Sequence, residues 1–139
     1  MRVSSYDERR YLMDFRIEKM AQVIINYSLA VKPGERVLIR STSPAGAPLA
    51  AALYQAGLRA GAKTFNYIHL SEEDALAIEA TDNLELLAEM NPMLKLMYET
   101  CDALVRIDAV ENPRGLSDYP AELQRARAKG NYGPIAIQM

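Results

Sequence analysis

Few side chains in this sequence could act on a substrate. Its only histidine is His69 and its only cysteine is Cys101. A hydrolytic zinc site usually recruits several His, Cys, Asp or Glu side chains, and a serine nucleophile needs a histidine within reach. His69 sits between Ile68 and Leu70 in a stretch that reads as a strand, so alternation sends it to the opposite face from both. It is expected to be a strand residue with one hydrogen bond. Cys101 is expected to be a small buried hydrophobe, because a reactive thiol needs a base that the chain barely offers. Glu72, Glu73 and Asp74 resemble a cation site, yet at a helix start they are explained by the macrodipole. Two further clusters stand at the ends of predicted strands: Arg40-Ser41-Thr42-Ser43, and Glu111-Asn112. Ligands of open α/β sheets bind beyond the carboxyl ends of the strands. Those six residues are therefore the candidate cavity-facing or ligand-binding loops, and the free amides of the helix that follows Ser43 could hold an anion. Gly46 alone makes neither a phosphate loop nor a dinucleotide fingerprint. No catalytic or metal-ligating residue is assigned.

The elements that position these residues follow from periodicity. Ile17, Met20, Ala21, Ile24, Tyr27 and Ser28 recur at three- and four-residue steps, which predicts a helix from Asp14 to Ala30 with Asp14 as its N-cap. Lys32-Pro33-Gly34-Glu35 ends it. Val37-Leu38-Ile39 is a short apolar run bounded by turn residues, as in a strand covered on both faces. An alanine-rich helix from Pro48 to Ala60 follows, with Gly61 as a left-handed C-cap. A second strand is expected from Lys63 to Leu70. Strand, helix and strand with short joins make a βαβ unit with parallel strands. Short helices are expected between Ser71 and Asn91, capped by Ser71 and Asp82, and a further one from Pro92 to Thr100. Ala103 to Asp108 reads as a third strand. Pro120 should open a last helix reaching Lys129, which Gly130-Asn131-Tyr132-Gly133-Pro134 should break. The expected fold is α/β: a small, mostly parallel open sheet with helices on both faces, in a Rossmann-like layer order.

Composition narrows the classes. The chain has 139 residues, which suits one domain. Sixteen basic against eighteen acidic residues leave a net charge of −2, so no basic face for a nucleic acid is expected. Half the residues are hydrophobic and 24% charged, as in a globular protein. No apolar stretch approaches the ~20 residues of a membrane span, and no secretion signal is visible. A single cysteine fits a reducing compartment.

Read in order, longer stretches carry more information than any one motif. Asp14-Phe15-Arg16-Ile17-Glu18-Lys19-Met20-Ala21, Asn26-Tyr27-Ser28-Leu29 and Val31-Lys32-Pro33-Gly34-Glu35-Arg36-Val37-Leu38-Ile39 come first. Ser43-Pro44, Pro48-Leu49, Gly61-Ala62, Asp102-Ala103 through Asp108, and Glu111-Asn112-Pro113-Arg114-Gly115-Leu116-Ser117 follow. Together they resemble the opening of the thermophilic-type metallo-aminopeptidases (aminopeptidase T, aminopeptidase S and PepS), from about residue 14 to 129. The resemblance implies a cytoplasmic, usually dimeric exopeptidase that releases N-terminal residues from peptides with two divalent metal ions of zinc or cobalt type. It places the metal ligands and catalytic groups in a C-terminal catalytic domain, and no position here matches those motifs. By this reading residues 1–13 are an N-terminal extension, of which the first twelve are dispensable. Residues 14–139 are the N-terminal α/β domain, which helps enclose the peptide cavity and is inactive alone. A stand-alone small-ligand binder or an assembly module of the same fold are the alternatives.

Overall fold

The computed structural model describes residues 1–7, 14–109 and 119–138. Four strands, β1 (Arg2–Asp7), β2 (Arg36–Ser41), β3 (Lys63–Ile68) and β4 (Ala103–Asp108), form one sheet in the order β1-β4-β2-β3. All three pairings are parallel. The fold is a small α/β structure. The chain separates into two compact units, Met1–Ser71 with Thr100–Glu111, and Glu72–Glu99 with Asn112–Met139.

The first unit holds the sheet, helix α1 (Asp14–Val23) and helix α2 (Ala47–Arg59). Val37 and Ile39 of β2 and Ala103, Val105 and Ile107 of β4 point to one face of the sheet. They pack there with Ile17 and Ala21 from α1, Ile24 and Ile25 from the turn that follows it, and Leu49, Leu53 and Ala56 from α2. Each fully buried Leu or Ile contributes roughly 1.5–3 kcal/mol. Leu38 and Leu104 point to the other face and are buried as well. β2 and β4 are thus apolar on both sides, as parallel strands require.

Turn chemistry sets the register. Pro33 and Gly34 (φ +86°) form the centre of a turn in which Glu35 N–H donates to the Lys32 carbonyl at 3.1 Å. That geometry needs positive φ at its third residue. Gly61 (φ +81°) ends α2, and Gly34 N–H donates to its carbonyl at 2.9 Å, so the turns before β2 and before β3 are tied together.

Two expectations about this unit change. The helix predicted from Asp14 to Ala30 is α-helical only to Val23 and then widens into a π turn over Ile24–Ser28, with Leu29 N–H donating to Ile24 O at 2.9 Å. The wider turn rotates the face by one residue. Ile24, Ile25 and Leu29 are all buried, while Tyr27, read as part of the apolar face, is 81% exposed. The sequence also signals no element before Asp14, yet residues 2–7 pair along the outer side of β4, from Arg2 opposite Ala103 to Asp7 opposite Asp108. The partner strand supplies the order that a polar hexapeptide would not adopt alone. Arg2 N–H donates to Asp102 O at 3.2 Å, and the Arg2 guanidinium grips the Glu35 carboxylate at 2.6 Å and 2.7 Å.

The second unit is helical: α3 (Glu73–Ala80), α4 (Leu84–Leu87), α5 (Pro92–Thr100) and α6 (Ala121–Gln138). Asn83, not Asp82, caps α4, accepting at Oδ1 from Glu85 and Leu86 N–H. Glu72 in the left-handed region (φ 53°), not Ser71, precedes α3. Glu73 and Asp74 do more than oppose a helix dipole. Arg127 of α6 donates to Asp74 at 2.8 Å and reaches Glu73 at 3.5 Å, and Asn131 Nδ2 donates to Asp74 at 2.7 Å. Tyr119 also donates to Glu79. α6 runs on past Gly130, where a break was expected. A Cβ at Gly130 would lie 2.8 Å from Leu87 O and 2.9 Å from Glu89 O, so the residue is glycine for close approach to the end of α4 and not for a turn. Among the described residues no helix is long and apolar enough to cross a membrane.

Candidate functional site at the carboxyl ends of the strands

β2 feeds directly into the loop that carries the candidate hydroxyls. In chain order the sheet advances from β2 to β3, then returns to place β4 on the other side of β2. The carboxyl ends of β2 and β4 therefore meet where the strand order reverses, the usual position of a ligand crevice in such sheets. The short segment Pro44–Gly46 forms one 3₁₀ turn and leads into α2. Gly46 is close-packed against Ser41, whose hydroxyl any Cβ there would strike.

Arg40, Ser41 and Ser43 are buried. Ser41 Oγ donates to Ser43 O at 2.6 Å. Thr42 Oγ1 donates to Ala109 O at 3.1 Å and accepts from Ala109 N–H at 2.9 Å. Ser43 Oγ donates to the same carbonyl at 3.1 Å and accepts from Ala45 N–H at 3.3 Å. The Thr42 and Ser43 hydroxyls thus latch the end of β2 to the residue after β4, while that of Ser41 ties the loop to itself. Glu111 and Asn112 lie outside the described residues.

Arg40 and His69 form the second part of the site. Arg40 Nε donates to His69 Nε2 at 3.0 Å, both side chains are buried, and His69 N–H donates to Ser41 O at 3.1 Å. The Tyr67 and His69 rings meet in a T-shaped contact, with centroids 4.8 Å apart and planes at 80°. Sequence reading gave His69 one hydrogen bond and missed its partner, since residues 40 and 69 meet only through the β2–β3 pairing of Arg40 with Tyr67 and Ser41 with Ile68. Arg40 also stands beside Arg106 of β4 in register, and Arg106 reaches Asp108 at 3.2 Å.

The donor set does not suit the metal ions that the resemblance implies. Among the described residues there is no group of three or more His, Cys, Asp or Glu side chains that could hold an ion. The Nε2 lone pair of His69 is directed at a guanidinium N–H, which cannot be removed at ordinary pH. The Cys101 thiol is pushed up from its ordinary pKa by burial, which keeps it protonated and a poor ligand. What the arrangement does supply is rigidity: every hydroxyl of the loop after β2 is held by the protein itself. A separate open groove of about 220 Å³ lies between α1 and α2, lined by Ile17, Glu18, Pro48, Ala51, Ala52 and Gln55, away from this edge.

A parallel sheet of this order, reversing between β2 and β4, defines an open α/β protein. The model of one such family, described as thermophilic metalloprotease (M29), matches residues 13–133, and the chain belongs to that family. Among solved structures it is similar to wild-type AmpT from Thermus thermophilus, at a TM-score of 0.62 and 18% identity over 94% of this chain. That likeness shows the fold. The chain spans 32% of the Thermus protein. Comparison with curated proteins gives no match.

Proposed function

We propose that the chain is the non-catalytic N-terminal domain of a dinuclear-metal aminopeptidase and helps enclose the peptide cavity of the parent enzyme. The family match over residues 13–133, on a chain that spans 32% of the Thermus AmpT structure, carries this reading. Arg40, Ser41, Thr42 and Ser43, with Glu111 and Asn112, form the wall of that cavity and meet the C-terminal catalytic domain. The two divalent ions, zinc or cobalt in type, belong to that domain, where they polarise the peptide carbonyl. The parent releases N-terminal residues from peptides in the cytoplasm, as a homodimer. The hydroxyls, already bonded to main-chain groups, favour a wall over a pocket that must reorganise around a small ligand.

The purified chain should not hydrolyse leucyl-p-nitroanilide with added Co²⁺ or Zn²⁺, and elemental analysis should find no stoichiometric metal. Metal-dependent turnover by the pure chain, or one tightly held ion per chain, would overturn the proposal.

A further inference from the structure

Apart from the edge hexapeptide β1, the sheet follows a known order. With β2, β3 and β4 renumbered one, two and three, they stand as 2-1-3, the start of the flavodoxin-like sequence 2-1-3-4-5. In that sequence the fourth strand pairs with the outer side of the third. Here that place is taken by β1, which comes from the other end of the chain and lies outside the family match at residues 13–133.

The two strands pair in register over six residues but differ in polarity. Ala103, Leu104, Val105 and Ile107 are buried, and β4 is apolar on both faces, which suits a strand flanked on both sides. β1 offers Arg2, Ser4 and Ser5, and its Val3 is 52% exposed. It pairs with β4 alone, and its one described ion pair is with Glu35. In contrast to buried β4, β3 exposes Lys63, Phe65 and Asn66, as a true sheet margin does.

We infer that the outer edge of β4 is a docking seam for a parallel, apolar strand of the longer metalloprotease chain, and that residues 2–7 are a displaceable cover over it. The inference rests on the proposed place of this chain in a larger enzyme and names the contact that joins the two. Family chains supply the length for such a strand, since this chain spans 32% of the Thermus structure. Main-chain hydrogen bonds provide most of the attachment and the apolar faces of β4 provide the preference.

The test uses the full chain. Arg2 N–H faces β4, so by alternation Ser4 N–H does too while Ser5 N–H faces outward. Ser4→Pro deletes a ladder donor, whereas Ser5→Pro leaves the ladder intact. A labelled peptide with the sequence of residues 1–7, and a second with valine in place of Ser4, are titrated against each variant by fluorescence anisotropy. S4P should keep slow amide exchange in β2 and β3 and bind both peptides. The valine peptide should bind about tenfold tighter, the effect of burying one or two more methylene-sized groups. S5P and the unaltered chain should bind neither. Loss of the β2–β3 protection in S4P would make β1 integral to the sheet and overturn the inference. A folded S4P that binds neither peptide, or that dimerises instead, would overturn it too. None of these readouts needs peptidase activity, so an active chain would sink the proposed function while leaving the anisotropy result unchanged.

Discussion

The carboxylate of Glu35 accepts from Lys32 N–H at 2.7 Å and from the Arg2 guanidinium. The backbone donor first, and then Arg2, hold its pKa below the ordinary 4.5, against the opposing effect of burial. A carboxyl whose folded pKa is depressed adds stability that is complete above its unfolded value and is lost as pH falls through the folded one. Glu35→Gln should therefore lower stability at pH 6 by up to about 1 kcal/mol, the scale of a partly exposed ion pair, and the deficit should close towards pH 3. Urea melts at the two pH values measure it. Burial raises the Cys101 thiol, so alkylation by iodoacetamide at pH 8 should be more than about tenfold slower in the native protein than in guanidinium, by mass spectrometry. The buried cysteine was legible in the sequence because small size and the lack of a base decide its fate. The Arg40–His69 bond was not, because 29 residues separate the partners and only strand register joins them.

Glycine tests the reading of helices. In the middle of a helix, Gly→Ala gains about 1 kcal/mol when nothing else intervenes. At Gly130 the added methyl would meet the carbonyls of Leu87 and Glu89, so the sign should reverse. G130A should lose about 1–3 kcal/mol in thermal or urea unfolding, the usual range for overpacking. Gly61→Ala places a Cβ at φ +81° and against Pro33 and should cost about 1–3 kcal/mol as well. Strands β2 and β4, the βαβ unit and the helix from Pro92 were readable, because apolar runs and turn residues are local signals. The end of α6 was misread, since glycine serves both chain reversal and close packing, and sequence does not say which. The π turn escaped for a related reason: Leu29 looks like a solvent position at a period of 3.6 and reaches the core only when one turn is widened.

At the scale of the molecule, the α/β class was legible and the strand order was not. Order depends on which edges pair, and β1 carries little hydrophobic signal to announce itself. The hydroxyl cluster was placed correctly at the strand ends, but its internal bonding depends on Ala109, whose neutral side chain gives no hint of it. Amide exchange should rank the sheet from slow β2 and β4, buried on both faces, to fast β1. Thr42 adds one more rank. Its Oγ1 gives and takes a hydrogen with the same residue, Ala109, a reciprocity ordinarily reserved for two peptide groups. One side chain is thus standing in for main chain, and the ladder is prolonged a rung beyond the last true strand residue. A valine of equal shape at that position would leave the packing and shorten the ladder.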